Sequence, residues 1–229
     1  MLPASNLPLG NIGPLLARRQ VCHSWRSIPL ATRRLTAEAR RAQLLSVARE
    51  VFAEDGYHSA AMEKIAQRAG VTKPVLYQHF DGKKELYLAL LESDMTRLLA
   101  QVSSAIDGAH TNVDRIRKGL GAYFDYIEAN VDSFRLLFRE TMGADPEFRE
   151  CIDRFHDAAA GRVGAIIHDE AGLPLDEAEL LARGIIGLSE AAATWWIDRK
   201  QTIDRNDLVR DLTELAWRGL AGLPRRREG

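Results

Sequence analysis

The chain has 229 residues, 46% of them hydrophobic and 28% charged, which is enough apolar material for a buried core and more length than a minimal DNA-binding module needs, since domains cluster at about 100–150 residues. Its formal net charge of −1 excludes a wholly basic nucleic-acid coat protein, and no run approaches the ~20 uninterrupted apolar residues of a membrane span. Residues 1–106 hold 14 Lys and Arg against 9 Asp and Glu, and residues 107–229 hold 17 against 23, so a front of +5 and a rear of −6 make up the total of −1.

Such polarity suits a protein that meets a polyanion with one end only. Cys22 and Cys151 make neither a disulfide framework nor a zinc spacing, and a reducing cytoplasm is the expected setting.

Residues 1–32 contain Pro3, Pro8, Pro14 and Pro29 and no acidic residue. The stretch lacks the basic start and unbroken apolar centre of a secretory signal, and a disordered arm is expected. The alternative is a basic arm in which Arg18, Arg19 and Arg26, with Arg33 and Arg34, lie along DNA.

From Thr36 onward the apolar spacing is helical. Leu44, Val47, Ala48, Val51 and Phe52 make one face of a first helix, with Thr36 as its N-cap and Gly56 closing it. A long helix follows Gly82 and stops at Asp107-Gly108. Further stripes comprise Ile116, Leu120, Tyr123, Phe124, Ile127 and Val131, then Phe148, Cys151, Ile152, Phe155 and Val163. Leu180, Gly184, Leu188 and Trp195 form another, and Leu208, Leu212 and Leu215 the last. Asp145-Pro146 reads as an N-cap with proline in the first turn, and Gly172-Leu173-Pro174 as a break. No stretch alternates with period two, so the fold class is all-α.

Residues 59–80 carry the functional signal. A short helix with Met62, Ile65, Ala66 and Ala69 inward reaches Gly70, where a left-handed residue costs glycine nothing. Thr72 is placed to cap a second short helix, which tolerates Pro74 in its first turn. Leu76 and Phe80 face inward, leaving Lys73, Val75, Tyr77, Gln78 and His79 to point elsewhere. Two helices joined by so tight a turn make a helix-turn-helix, whose second helix can lie in the major groove. A helical hairpin without a DNA role is the plainer alternative.

The run Gly56-Tyr57, Met62-Glu63-Lys64-Ile65-Ala66-Gln67-Arg68-Ala69-Gly70-Val71, Leu76-Tyr77-Gln78-His79-Phe80 and Lys83-Lys84-Glu85-Leu86 resembles the signature of the tetracycline-repressor (TetR) family. The resemblance implies an N-terminal helix-turn-helix DNA-binding domain over residues 33–82, followed by a helical effector-binding and dimerisation domain over 83–229. It implies a homodimeric repressor that binds a double-stranded DNA operator and is released by a small ligand. By resemblance Tyr77 touches the DNA backbone. Lys83, opening the next helix, is expected to do the same. Thr72, Lys73, Val75, Gln78 and His79 are left for the groove, where lysine can take guanine acceptors, glutamine can pair with adenine and valine can touch a thymine methyl. Two positions depart from the pattern: the first helix of the motif usually opens with Thr or Ser, and Ala60 and Ala61 stand there, so that Ser59 can take over only if the cap moves back one residue.

Behind the motif, a helix over residues 176–200 carries Gly184, Gly187, Ala191, Ala192 and Ala193. The resemblance pairs it and a helix over 206–220 with their copies in a four-helix dimer interface; close packing within one subunit is the alternative. Tyr123, Phe124, Phe134, Phe138, Met142, Phe155, Trp195 and Trp196 supply an apolar interior, so an apolar or aromatic effector is expected. Individual pocket residues and the sign of regulation are not legible. His156 and His168 are twelve residues apart, ~18 Å along a helix, too far to share a metal. No metal site, cofactor motif or catalytic motif is found. The chain is therefore read as a DNA-binding regulator and not an enzyme, with a helical interaction or ligand-binding protein that never meets DNA as the alternative.

Overall fold

The computed structural model describes residues 35–135 and 145–221. Among them the chain forms nine helices and no strand. The expected arm over 1–32 lies outside the described residues, as do Arg33, Arg34, Phe138, Met142 and the run from Arg225 to Arg227.

Helix α1 (Ala37–Ser59) begins as its sequence predicts, with the Thr36 hydroxyl accepting from the Ala39 amide at 3.1 Å. Gly56 takes φ 73°, so the last turn leaves the helix axis there. Helices α2 (Met62–Arg68) and α3 (Lys73–Tyr77) follow, turned on Gly70 at φ 65°. Helix α4 (Lys83–Asp107) is the long strut of the molecule. It gives Leu86, Tyr87, Leu90, Leu91 and Met95 to a core shared with Leu44, Val51, Phe52, Ile65, Leu76 and Phe80. Phe148 and Cys151 close that core from the start of α7 (Pro146–Ala171). Tyr57, Tyr87 and Phe148 meet there with ring centroids 4.7–5.0 Å apart.

A second core joins Leu120, Phe124 and Ile127 of α5 (Asn112–Ala129) to Phe134 of α6 (Val131–Arg135). It is completed by Ala193, Trp196 and Ile197 of α8 (Leu175–Asp198) and by Leu208 and Val209 of α9 (Arg205–Ala221). The Trp196 indole donates to the Ile203 carbonyl at 2.8 Å. Between α7 and α8 the backbones come close: a Cβ on Gly164 would sit 3.1 Å from Glu179 Cα and 3.2 Å from its nitrogen.

Three expected features are corrected. The stripe from Ile116 to Val131 is not one helix, because Asn130 (φ −137°, ψ 45°) ends α5 and Val131 opens α6. On α8, Leu180, Gly184, Leu188 and Trp195 do share a face, but that face turns outward; Ala178, Ala182, Ser189, Ala193, Trp196 and Ile197 are the buried ones. Leu215 likewise points away from the core, 59% exposed.

Candidate functional site

Helix α3 opens on backbone bonds alone. Thr72 stands at the N-cap position, yet its hydroxyl makes no cap bond, contrary to the expectation. The physical reason is local. A capping oxygen takes the second or third amide of a helix; here the second residue is Pro74, without an N–H, and the third amide, Val75, already donates to the Thr72 carbonyl at 3.0 Å. The hydroxyl is left exposed for other partners. Helix α2 opens at Ala61 without a side-chain cap, as the alanines at 60 and 61 require.

Leu76 and Phe80 anchor α3 in the core. Arg41 of α1 ties its end down by donating to the His79 carbonyl at 2.9 Å with its guanidinium 4.3 Å from the Phe80 ring centroid. Thr72, Lys73, Tyr77 and Gln78 are exposed and form one outer surface, while Val75 and His79 are half-buried at its edge. Tyr77 leaves 46% of its surface in solvent. Lys73 is ion-paired with Glu63 of α2. Lys83 is engaged more deeply: its ammonium donates to the carbonyls of His58 (2.8 Å) and Ala60 (3.1 Å) and lies 5.0 Å from the Tyr57 ring centroid. It therefore clamps the α1–α2 junction, which the expectation of a phosphate-binding cation did not anticipate.

The second site is a cavity of about 460 Å³ lined by α4, α5, α7, α8 and α9, within the range of small-molecule sites. Its wall is chiefly aliphatic, with Leu98, Val102, Ile106, Ile116, Val163, Ile166, Ile167, Leu181 and Ile185. Polar side chains gather at two places. At one, Arg115 donates to Glu170 (2.6 Å) and to Asn112, and Asn112 to Glu170 (3.2 Å); Arg162 is paired with Asp107 beside it. At the other, Glu190 lines the wall and accepts from the ring nitrogen of His156, which is not itself on the wall, at 2.5 Å; the bond raises the imidazole pKa. Burial pushes the nearby Tyr123 phenol well up, and the Glu190 charge adds to it. His156 thus pairs with Glu190, not with its neighbour Asp157, which is bound by Arg183. His168 donates to the Leu173 carbonyl at 2.6 Å, and among the described residues no group of side chains could hold a metal ion.

Of the aromatic residues named from sequence, Tyr123 and Phe155 line the cavity. Phe124, Phe134 and Trp196 build the second core instead, and Trp195 is exposed. Trp217 was missed and does line the cavity. It stands two residues beyond Leu215 on the last helix, and only the packing of α9 turns one inward and the other out.

One α4 helix serves both sites. Its first half packs under the helix-turn-helix and its second half, from Leu98, walls the cavity. At the join, Asp94 is 1% exposed and receives Arg49 of α1 at 2.5 and 3.1 Å, while Tyr126 of α5 donates to its carbonyl at 3.0 Å.

A helix-turn-helix mounted on a helical domain with an apolar cavity defines a class, the ligand-responsive DNA-binding regulator. The comparisons agree with it. A family model described as "Bacterial regulatory proteins, tetR family" matches residues 44–90, and one described as "Tetracyclin repressor-like, C-terminal domain" matches residues 113–219. The HTH-type transcriptional activator FasR of Mycolicibacterium smegmatis is 37% identical over 191 residues, 83% of this chain and 87% of that protein. The crystal structure of a TetR-like transcriptional regulator from Rhodococcus sp. RHA1 superposes with a TM-score of 0.68 at 26% identity, covering 83% of this chain and all of the other. The transcriptional regulator FadR of Bacillus subtilis, in complex with stearoyl-CoA, shares the fold, with a TM-score of 0.67 at 22% identity over 80% of this chain and 99% of its own. The chain belongs to the TetR family of transcriptional regulators and is a DNA-binding transcriptional regulator.

Proposed function

We propose that this regulator is a cytoplasmic homodimer whose DNA binding is gated by an aliphatic acyl ligand, an acyl-CoA thioester in the first instance, and that it has no catalytic activity. The observation that carries the reading is the shared helix: a ligand filling the space beside Leu98, Leu99 and Val102 acts on the rear half of α4, whose front half packs against α1 and the helix-turn-helix. A ligand that favours one setting of α4 shifts the population of recognition-helix positions. The long aliphatic wall suits an acyl chain, and the stearoyl-CoA held by the B. subtilis FadR supplies the probe. Repression is the expected default. The sign at any one promoter follows from where the operator lies, and the M. smegmatis relative is named an activator.

On the DNA side, Tyr77 is assigned to the phosphate backbone and Thr72, Lys73, Val75, Gln78 and His79 to the groove. Lys73 must exchange Glu63 for nucleic acid. Lys83 holds the motif together through His58 and Ala60 and reaches a phosphate only with its remaining N–H. The functional division expected at residue 82/83 is retained with α4 as the common strut. The dimer reading rests on the outward face of α8, with Leu180 (70% exposed), Gly184, Gly187, Ala191 and Trp195 (47%), and on Leu215 of α9, also exposed. An apolar face with small residues along it accepts a second helix closely. A dimer presents two α3 helices, so the operator should be a palindrome with half-sites ~34 Å apart or a multiple of that.

The test is a mobility shift on the protein's own upstream region, titrated with stearoyl-CoA. Sequence-specific retardation that changes as the ligand is added is expected. Retardation indifferent to acyl-CoA esters of every chain length would refute the gating, and no retardation at all would refute the DNA-binding assignment of α3.

A further inference from the structure

A cavity built for hydrocarbon alone has no use for a carboxylate and a phenol, yet both stand on this wall. Tyr123 is eight residues beyond Arg115 on α5, about 12 Å along the helix from the Arg115–Glu170 cluster. Its ring lines the cavity while its hydroxyl oxygen is buried with no hydrogen-bond partner. Glu190 lines the same region and is held by His156 at 2.5 Å through one oxygen, Oε1. Ser189 also lines the cavity, but its hydroxyl is spent on the Ile185 carbonyl at 2.8 Å. The Tyr123 oxygen is covered by its neighbours, so the side chain must swing about its Cα–Cβ bond to present the hydroxyl to a ligand.

A buried hydroxyl without a partner is unfavourable, and phenylalanine would fill the same space without that cost. The arrangement makes sense if the ligand completes it. We propose that Tyr123 and Glu190 form a specificity site for an alcohol on an aliphatic ligand, whose oxygen accepts from the Tyr123 phenol and whose O–H donates to the Glu190 carboxylate. A hydroxyl does both jobs through a single oxygen while staying neutral. A carbonyl or ether accepts from the phenol and turns lone pairs toward Glu190, and a carboxylate or phosphate brings a second negative charge beside it. His156 positions the carboxylate from the far side. The ligand class is therefore a hydroxylated acyl chain, with its hydroxyl well removed from the polar cluster at Arg115. This inference rests on the effector-cavity reading above.

The experiment compares stearic acid and stearoyl-CoA with their hydroxy isomers, the hydroxyl moved along the chain, by calorimetry on the full-length protein. One isomer should bind about 10-fold more tightly than its unsubstituted parent, since a site built to hydrogen-bond a hydroxyl discriminates against the analogue lacking it. In Tyr123→Phe that preference ratio should fall to about one, and in Glu190→Gln it should shrink. Without ligand, Tyr123→Phe should melt no lower than the wild type, because it deletes an unpartnered hydroxyl; a lower melting temperature would mean that the phenol is already satisfied, and would overturn the argument. If the parents bind but no isomer is preferred, or if the preference survives in Tyr123→Phe, the specificity site is refuted while the effector cavity stands. If neither parents nor isomers bind, the cavity reading fails and this inference fails with it.

Discussion

Arg49→Ala is expected to destabilise the protein by about 3 kcal/mol, because it strands a buried charge. Asp94 is 1% exposed, and two guanidinium nitrogens of Arg49 hold its two oxygens at 2.5 and 3.1 Å. Without them the nearest cation is Arg97, at 3.6 Å and with 51% of its side chain in solvent. Removing one partner of a buried pair costs ~3–5 kcal/mol, and the 21% exposure of the Arg49 side chain places this pair at the lower end. For a chain of this length that is a fall in melting temperature on the order of 6–12 °C. Asp94→Ala should cost less, since a freed Arg49 can turn its head to solvent. Replacing both, as Arg49→Met with Asp94→Leu, should be roughly neutral. Urea unfolding of the four proteins measures these differences. The pair bridges α1 to α4 one turn before the first cavity-wall residue, Leu98, so the double variant should still bind DNA while responding less to ligand. An Arg49→Ala cost no larger than that of Asp94→Ala would refute the buried-charge reasoning. Undiminished ligand response in the double variant would show that coupling takes another route.

Trp217 lines the cavity whereas Trp195 and Trp196 do not, so ligand-induced change in tryptophan emission should vanish in Trp217→Phe and persist in Trp195→Phe. Leu180→Asp, at a 70% exposed position of the outward α8 face, should give a monomer by light scattering with an unchanged helical spectrum. Gly164→Ala should lower stability by ~1–3 kcal/mol despite alanine's better helix propensity, because its Cβ would meet the Glu179 backbone at 3.1 Å; a thermal melt at or above wild type would contradict the close α7–α8 approach. The folded pKa of His156 is raised by its bond to Glu190. Its contribution is therefore fully present below the unfolded value, ~6.5, and is lost as pH rises through the folded value. Thermal melts of His156→Gln and the wild type should differ most in mild acid and converge at alkaline pH.

Local chemistry made much of this molecule legible. Thr36, Gly70, Gly108, Asp145-Pro146 and Gly172 mark where helices start or stop through their own caps and φ angles, and the structure puts those boundaries where the residues imply; Gly56, expected to close α1, bends it instead, and the helix runs on to Ser59. The exposed side of α3 was legible too, since Leu76 and Phe80 claim the inside and leave Tyr77 and Gln78 outside. Side-chain partners were not. Lys83 found two carbonyls 23 and 25 residues away, Lys73 found Glu63, and His156 found Glu190 across 34 residues. No spacing rule connects such pairs. The apolar stripes were visible in sequence, but not their direction. Helical periodicity shows that Leu180, Gly184, Leu188 and Trp195 share a face, and burial alone shows that the face looks outward while Ala182, Ala193 and Trp196 look in. The cavity is the extreme case. Its wall draws on five helices, and whether Trp217 or Leu215 faces it depends on the rotation of α9 against α5. A helix repeats every 3.6 residues whichever way it is turned, so that rotation is set by the packing of its neighbours and is written in no single stretch of chain.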